Sequence, residues 1–96
     1  MAKVMESRNY PGRSPDDCFN AAKAALPKAG FEIWKLRPIA WLVLANRQTP
    51  GGEAKANLAF RPGGAGTLTL TGDGLSKETL QAMAAEAMAA LDAELG

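Results

Sequence analysis

Trp34 and Trp41 are the largest side chains in a chain with few large ones, and cations surround them in sequence: Lys35, Arg37 and Arg47 close by, Lys55 and Arg61 further along. An indole can stack on a flat ligand or anchor a partner surface, and a guanidinium or ammonium beside it can meet a phosphate or carboxylate. Groups suited to catalysis are sparser. There is no histidine, which removes the usual general base at neutral pH, the commonest metal ligand and the ordinary serine or cysteine triad. Cys18 is the one cysteine, so an internal disulfide is impossible and a thiolate zinc site lacks ligands. Asp16 and Asp17 are adjacent and diverge on a helix instead of forming an acid–base pair. The expectation is a non-enzyme without cofactor or metal; Tyr10, the lysines and the carboxylates show no pairing that would do proton transfer.

Three further motifs have plainer readings. Gly63-Gly64-Ala65-Gly66 superficially evokes a phosphate loop, yet it leads into a strand and lacks the Lys-Ser or Lys-Thr ending, which makes it a hairpin turn. Gly72-Asp73-Gly74-Leu75-Ser76-Lys77 precedes a helix whose free amides could hold an anion, but Asp73 opposes that and Ser76 reads as an ordinary cap. Cys18 lies near a helix start, beside two carboxylates that disfavour a thiolate, and reads as a small core hydrophobe.

A chain of 96 residues makes one domain, spanning residues 1–96. Apolar residues are 47% of it, but many are alanine, so the core rests on few large side chains. A net charge of only +1 argues against disorder. That balance hides an asymmetry, because residues 1–61 carry a surplus of cations and residues 62–96 a surplus of acids. No run approaches the ~20 apolar residues that span a bilayer, and the start lacks the apolar core of a signal peptide. A soluble, cytoplasmic protein with no membrane partner is expected.

The elements that must position these residues follow from spacing. Ser14-Pro15-Asp16-Asp17 starts a helix over about residues 15–29: a capping serine, proline at the first helical position, and two carboxylates at the positive end of the dipole. Phe19, Ala22, Leu26 and Ala29 form its apolar face, Pro27 ends or bends it, and Gly30 offers a left-handed exit. A second helix runs from Ser76 to about Leu95 with Leu80, Met83, Ala84, Ala87, Leu91 and Leu95 on its apolar side. Asp92 and Glu94 sit at the wrong end of that dipole, so packing must hold the end in place. Residues 2–10 read as an extended segment. Four further strands are expected: Phe31–Arg37, Ile39–Arg47, Glu53–Arg61 and a threonine-alternating strand over Thr67, Thr69 and Thr71, joined by Pro- and Gly-rich turns.

The order β-α-β-β-β-β-α predicts an α+β two-layer sandwich, one antiparallel sheet of about five strands with two helices on one face. This succession resembles the half-repeat of TATA-box-binding proteins and, more loosely, a shortened helix-grip fold of the START-like kind. The resemblance covers the whole chain through element order alone, and it implies a fold and no activity.

On such a sheet, strict alternation places Phe31 and Ile33 under the helices and Trp34 and Leu36 on the uncovered face. Of the next strand, either Trp41 and Val43 or Leu42 and Leu44 face outward, joined by Lys55, Asn57, Arg61 and the threonines. The candidate contact residues are therefore Trp34, Leu36, Trp41, Val43, Lys55 and Arg61. Burying about 400 Å² of this face returns ~10 kcal/mol, most of which association costs consume. That favours a broad contact: a binding or interaction module that forms a homodimer or takes an apolar ligand or peptide. Single-stranded nucleic acid, stacked on the tryptophans with Arg and Lys on its phosphates, is the alternative. The small cationic surplus of residues 31–72 and the lack of an RNA-binding aromatic motif argue against it. A bulge or bend that returns either tryptophan to the core edge would remove part of the surface.

Overall fold

The computed structural model describes residues 2–96. In chain order these form β1 (Ala2–Asn9), α1 (Pro15–Lys28), β2 (Glu32–Arg37), a short 3-10 turn (Pro38–Ala40), β3 (Leu42–Thr49), β4 (Gly52–Arg61), β5 (Ala65–Gly72) and α2 (Lys77–Leu95). The five strands make one antiparallel sheet in the order β1-β5-β4-β3-β2. Consecutive strands β2 to β5 are hairpin neighbours, and β1 closes the far edge beside β5. The fold is α+β, as the alternation of patterns requires.

Both helix starts are capped by serine. The Ser14 hydroxyl accepts from the Asp17 amide at 3.0 Å while the Asp17 carboxylate accepts from the Ser14 amide at 3.3 Å, a reciprocal box with Pro15 in the first turn. Ser76 accepts from the Thr79 amide at 3.1 Å. Helix α1 runs through Pro27 to Lys28, and Gly30 at φ +87° turns the chain into β2. The buried side of α1 is Cys18, Phe19, Ala22, Ala25 and Leu26; that of α2 adds Met88 to the apolar residues expected from spacing.

Alternate residues of the strands meet these helices. Val4, Val43, Ala45, Ala54, Ala56, Leu58, Phe60, Leu68 and Leu70 are buried with the helix residues in one cluster. Small residues on this side let the helices approach closely. At Gly66, a Cβ would come within 2.7 Å of the Phe60 ring, so the aromatic side chain fits only because that residue has none. The acidic end of α2 is held by polar contacts from distant sequence. Tyr10 donates its hydroxyl to Asp92 at 2.7 Å, Arg13 donates to the Leu95 carbonyl at 2.5 Å, and Lys28 pairs with Glu94 at 2.6 Å. These cations and donors supply what the dipole there demands.

The strand expected over residues 39–47 starts later. Pro38 opens a 3-10 turn in place of a strand, Trp41 follows in the left-handed region at φ 49°, ψ 45°, and only at Leu42 does pairing with β4 begin. A non-glycine residue there costs about 1 kcal/mol or more. Trp41 offsets this with three hydrogen bonds: its amide to the Pro38 carbonyl (3.1 Å), its carbonyl from the Phe60 amide (3.1 Å), and its indole Nε1–H to Asp16 (2.9 Å).

The turn between β4 and β5 provides a stability test. Gly63 (φ +96°) and Gly64 (φ +84°) are both left-handed, but a Cβ at Gly63 meets open space whereas one at Gly64 collides with the Tyr10 carbonyl. Gly63→Ala is expected to cost about 1 kcal/mol, the conformational term alone. Gly64→Ala is expected to cost at least about 3 kcal/mol because backbone must move. Urea unfolding midpoints at constant slope measure both.

Candidate functional site

The sheet side away from the helices is where the sequence-derived contact residues have to be placed. β2 departs from strict alternation. Ile33 lies opposite Ala45, but the next paired residue is Lys35, opposite Leu44, followed by Leu36 opposite Val43 and Arg37 opposite Leu42. Trp34 is the extra residue of a β-bulge. Residues opposite one another in an antiparallel pair share a face. Lys35 and Arg37 therefore stand on the uncovered face with Leu44 and Leu42, and Leu36 stands on the helix side with the buried Val43.

This corrects the expected face in three places. Leu36 is not on the uncovered face, because the bulge inverts the phase after Trp34. Val43 is fully buried and belongs to the core. Trp41 is half-buried against the core, tied by its indole to Asp16 at the start of α1. Trp34, Lys55 and Arg61 are on the uncovered face as expected, and Trp34 is 57% exposed. The apolar pair from β3 is Leu42 and Leu44, both half-buried.

Cross-strand register orders the face into rows. Lys3, Thr71, Lys55 and Asn46 form one; Met5, Thr69, Asn57, Leu44 and Lys35 the next; Ser7, Thr67, Ala59, Leu42 and Arg37 a third. Lys3 and Met5 were missed because β1 pairs with a strand at the other end of the chain, and its own alternation is weak. A depression of about 490 Å³ lies across the first two rows, lined by Lys3, Trp34, Leu44, Asn46, Glu53, Lys55, Ala56, Asn57, Thr69 and Thr71. The side-chain oxygen of Asn46 is shielded from solvent and has no hydrogen-bond partner. The middle of the face is thus mildly apolar, edged by hydroxyls, amides and ammonium groups.

Charge is sorted between the two sides. The ion pairs among the described residues are Arg8 with Glu6 and Asp92, Lys28 with Glu94, and Arg47 with Glu86, all in or against the helix layer. The uncovered face carries Lys3, Lys35, Arg37, Lys55 and Arg61 against Glu32 and Glu53, and none of these cations is in an ion pair among the described residues. Glu53 is engaged by the Gln48 amide. Such a face attracts anions, more strongly at low salt.

Other reactive groups are spoken for. Burial, first, and then the hydrogen bond and charge of Asp92 push the Tyr10 phenol well above its ordinary 10.0, with Arg8 opposing weakly, so Tyr10 is a proton donor in a fixed bond. Cys18 is fully buried, and burial followed by the Asp17 charge raises its thiol above 9.0. No cluster of three or more His, Cys, Asp or Glu able to hold a metal occurs among the described residues, and no helix among them is long and apolar enough to cross a membrane. The Ala82, Ala85, Ala89 and Ala93 ridge of α2 is exposed.

No protein-family model matches the chain, and no curated protein matches it in sequence.

Tyr10 generates a pH prediction. Its proton is held more tightly in the folded state than in the unfolded chain, so this contribution to stability is complete below pH ~10 and declines as pH rises beyond it. Wild type is expected to lose stability above pH ~10, and Tyr10→Phe to lose less over the same interval, from a baseline about 1 kcal/mol lower. Urea unfolding at a series of alkaline pH values gives both slopes; parallel slopes would contradict the assignment.

Proposed function

We propose that this chain is a non-catalytic binding module whose uncovered sheet face takes an extended, acidic partner segment with some apolar side chains. What supports the reading is the combination of an exposed Trp34 and five cations outside any ion pair among the described residues, on one side of a sheet whose other side is roofed by helices. Trp34, Leu42, Leu44 and Met5 offer apolar contact; Lys3, Lys35, Arg37, Lys55 and Arg61 surround them. A segment lying over the face would bring carboxylates to the cations and apolar groups to the indole, with the threonine column as a hydroxyl-rich floor. Stacking two such faces against one another is disfavoured, because it opposes like charges.

Single-stranded nucleic acid is the second reading, favoured by the same free cations beside an exposed indole. Trp41 lies on the helix side, which leaves one aromatic platform on the face, and the phosphate-facing charge is modest.

Fluorescence anisotropy with two labelled probes separates the readings: an extended peptide of alternating Glu and Val, and a mixed-sequence single-stranded oligonucleotide. The peptide is expected to bind at low salt, and Trp34→Asp or Lys55→Glu to weaken it roughly tenfold or more. Tighter binding of the oligonucleotide, falling steeply with salt, would support the second reading. Failure of both probes at low salt would remove the face as an anionic-ligand site.

A further inference from the structure

The free edge of β2 carries a second pattern, which includes Trp34, Lys35 and Arg37 of the proposed ligand face together with Glu32, Ile33 and Leu36. β2 pairs only with β3 in the sheet, so its other side presents unpaired backbone amides and carbonyls. Of the exposed large hydrophobics, Trp34, Leu36 and Ile39 all lie within this edge strand and the turn that follows it, Ile39 at 94% exposure.

The bulge gives β2 an unusual order of faces. Ile33 and Leu36 lie opposite the core residues Ala45 and Val43, hence toward the helix side. Glu32, Lys35 and Arg37 lie opposite Asn46, Leu44 and Leu42, and Trp34 lines the depression on the uncovered side. From residue 32 to 37 the order is out, in, out, out, in, out, which reads the same in both directions about the midpoint between Trp34 and Lys35. A regularly alternating strand of this length has no such symmetry. Residues opposite each other in an antiparallel pair must share a face. A second β2 running antiparallel therefore satisfies that rule along its whole length only when the two midpoints coincide; a shift of one or two residues puts an inward residue against an outward one.

In that one register the chemistry also matches. Glu32 of one copy stands opposite Arg37 of the other, Ile33 opposite Leu36, and Trp34 opposite Lys35, each pair occurring twice about the two-fold axis. Two carboxylate–guanidinium pairs, two aliphatic pairs and two cation–aromatic pairs follow from a facing order that was fixed without reference to charge. Glu32 and Arg37 are exposed and in no ion pair within the chain among the described residues, so both are free to form these contacts.

We infer that a second copy of this chain docks on the β2 edge, with Glu32 opposite Arg37 across a two-fold axis that passes between Trp34 and Lys35. A bulge on an edge strand ordinarily discourages a foreign strand. Here each copy meets an identical bulge, which matches the distortion and rejects regular strands. The product is an isologous dimer with a continuous ten-stranded sheet, both helix layers on one side and both uncovered faces on the other. This edge contact shares Trp34, Lys35 and Arg37 with the proposed ligand face, whereas Lys3, Lys55 and Arg61 of that face lie on other strands.

Charge exchange tests it by sedimentation or light scattering. Glu32→Arg alone sets a guanidinium against the guanidinium of Arg37, and Arg37→Glu alone sets a carboxylate against the carboxylate of Glu32. Each is expected to weaken the dimer roughly tenfold or more while circular dichroism stays native. Mixing the two single variants restores both pairs, so the mixture is expected to dimerise as wild type does, and so is the double variant. Lys55→Glu, on the ligand face and off the edge, is expected to leave dimerisation unchanged while impairing peptide binding. A wild type that remains monomeric at high concentration overturns the inference. So does a dimer indifferent to both single exchanges, or a mixture that stays monomeric.

Discussion

One-sided roofing of the sheet is the constraint on which the rest of this molecule depends. Alternation commits every second strand residue to the same side, and α1 and α2 bury that side against Leu58, Phe60, Leu68, Leu70 and the small residues between them. Each buried position thereby exports its neighbour to the opposite surface, where threonines, asparagine, lysines and arginine accumulate. The division extends to electrostatics. Glu6, Glu86, Asp92 and Glu94 find their cations in or against the helix layer, leaving the cations of the bare side outside any ion pair among the described residues. A surface of that kind is kept solvated by its own charges and attracts anions.

The β2 bulge modifies this rule at one strand and accounts for much of what distinguishes the molecule. By inserting Trp34 as an unpaired residue it keeps the indole on the bare side and sends Leu36 to the other. It also makes the edge symmetric about its centre. Directly after β2, Pro38 denies the chain a donor, the backbone turns through Ala40, and Trp41 is drawn over the start of α1 by its bond to Asp16. The two tryptophans, so close in sequence, end with opposite roles: one clamps the corner of the core and the other stands free.

Locally encoded features were legible. Ser14 and Ser76 cap their helices because a hydroxyl three residues before a free amide suffices, and the period-two pattern of residues 53–61 and 67–71 needs no distant partner to be read. The uncovered face was half legible: Trp34, Lys55, Asn57, Arg61 and the threonines were placed by alternation. Leu36, Trp41 and Val43 were not, because a bulge and a left-handed residue are settled by tertiary contacts that no window around residues 34–43 contains. Lys3 and Met5 escaped for a related reason, since β1 acquires its phase from β5 across most of the chain. The acidic end of α2 showed that something had to hold it, and only the fold identified Tyr10, Arg13 and Lys28.

An uncovered face that is both solvent-open and electropositive around a single indole can be measured directly. Collisional quenching in dilute protein reads both properties at once, using Trp41→Phe to isolate Trp34 and Trp34→Phe to isolate Trp41. Trp34 is expected to be quenched several-fold more efficiently than Trp41, and more by iodide than by caesium because the neighbouring cations concentrate the anion. Equal protection of the two indoles, or a preference of Trp34 for caesium, would contradict it.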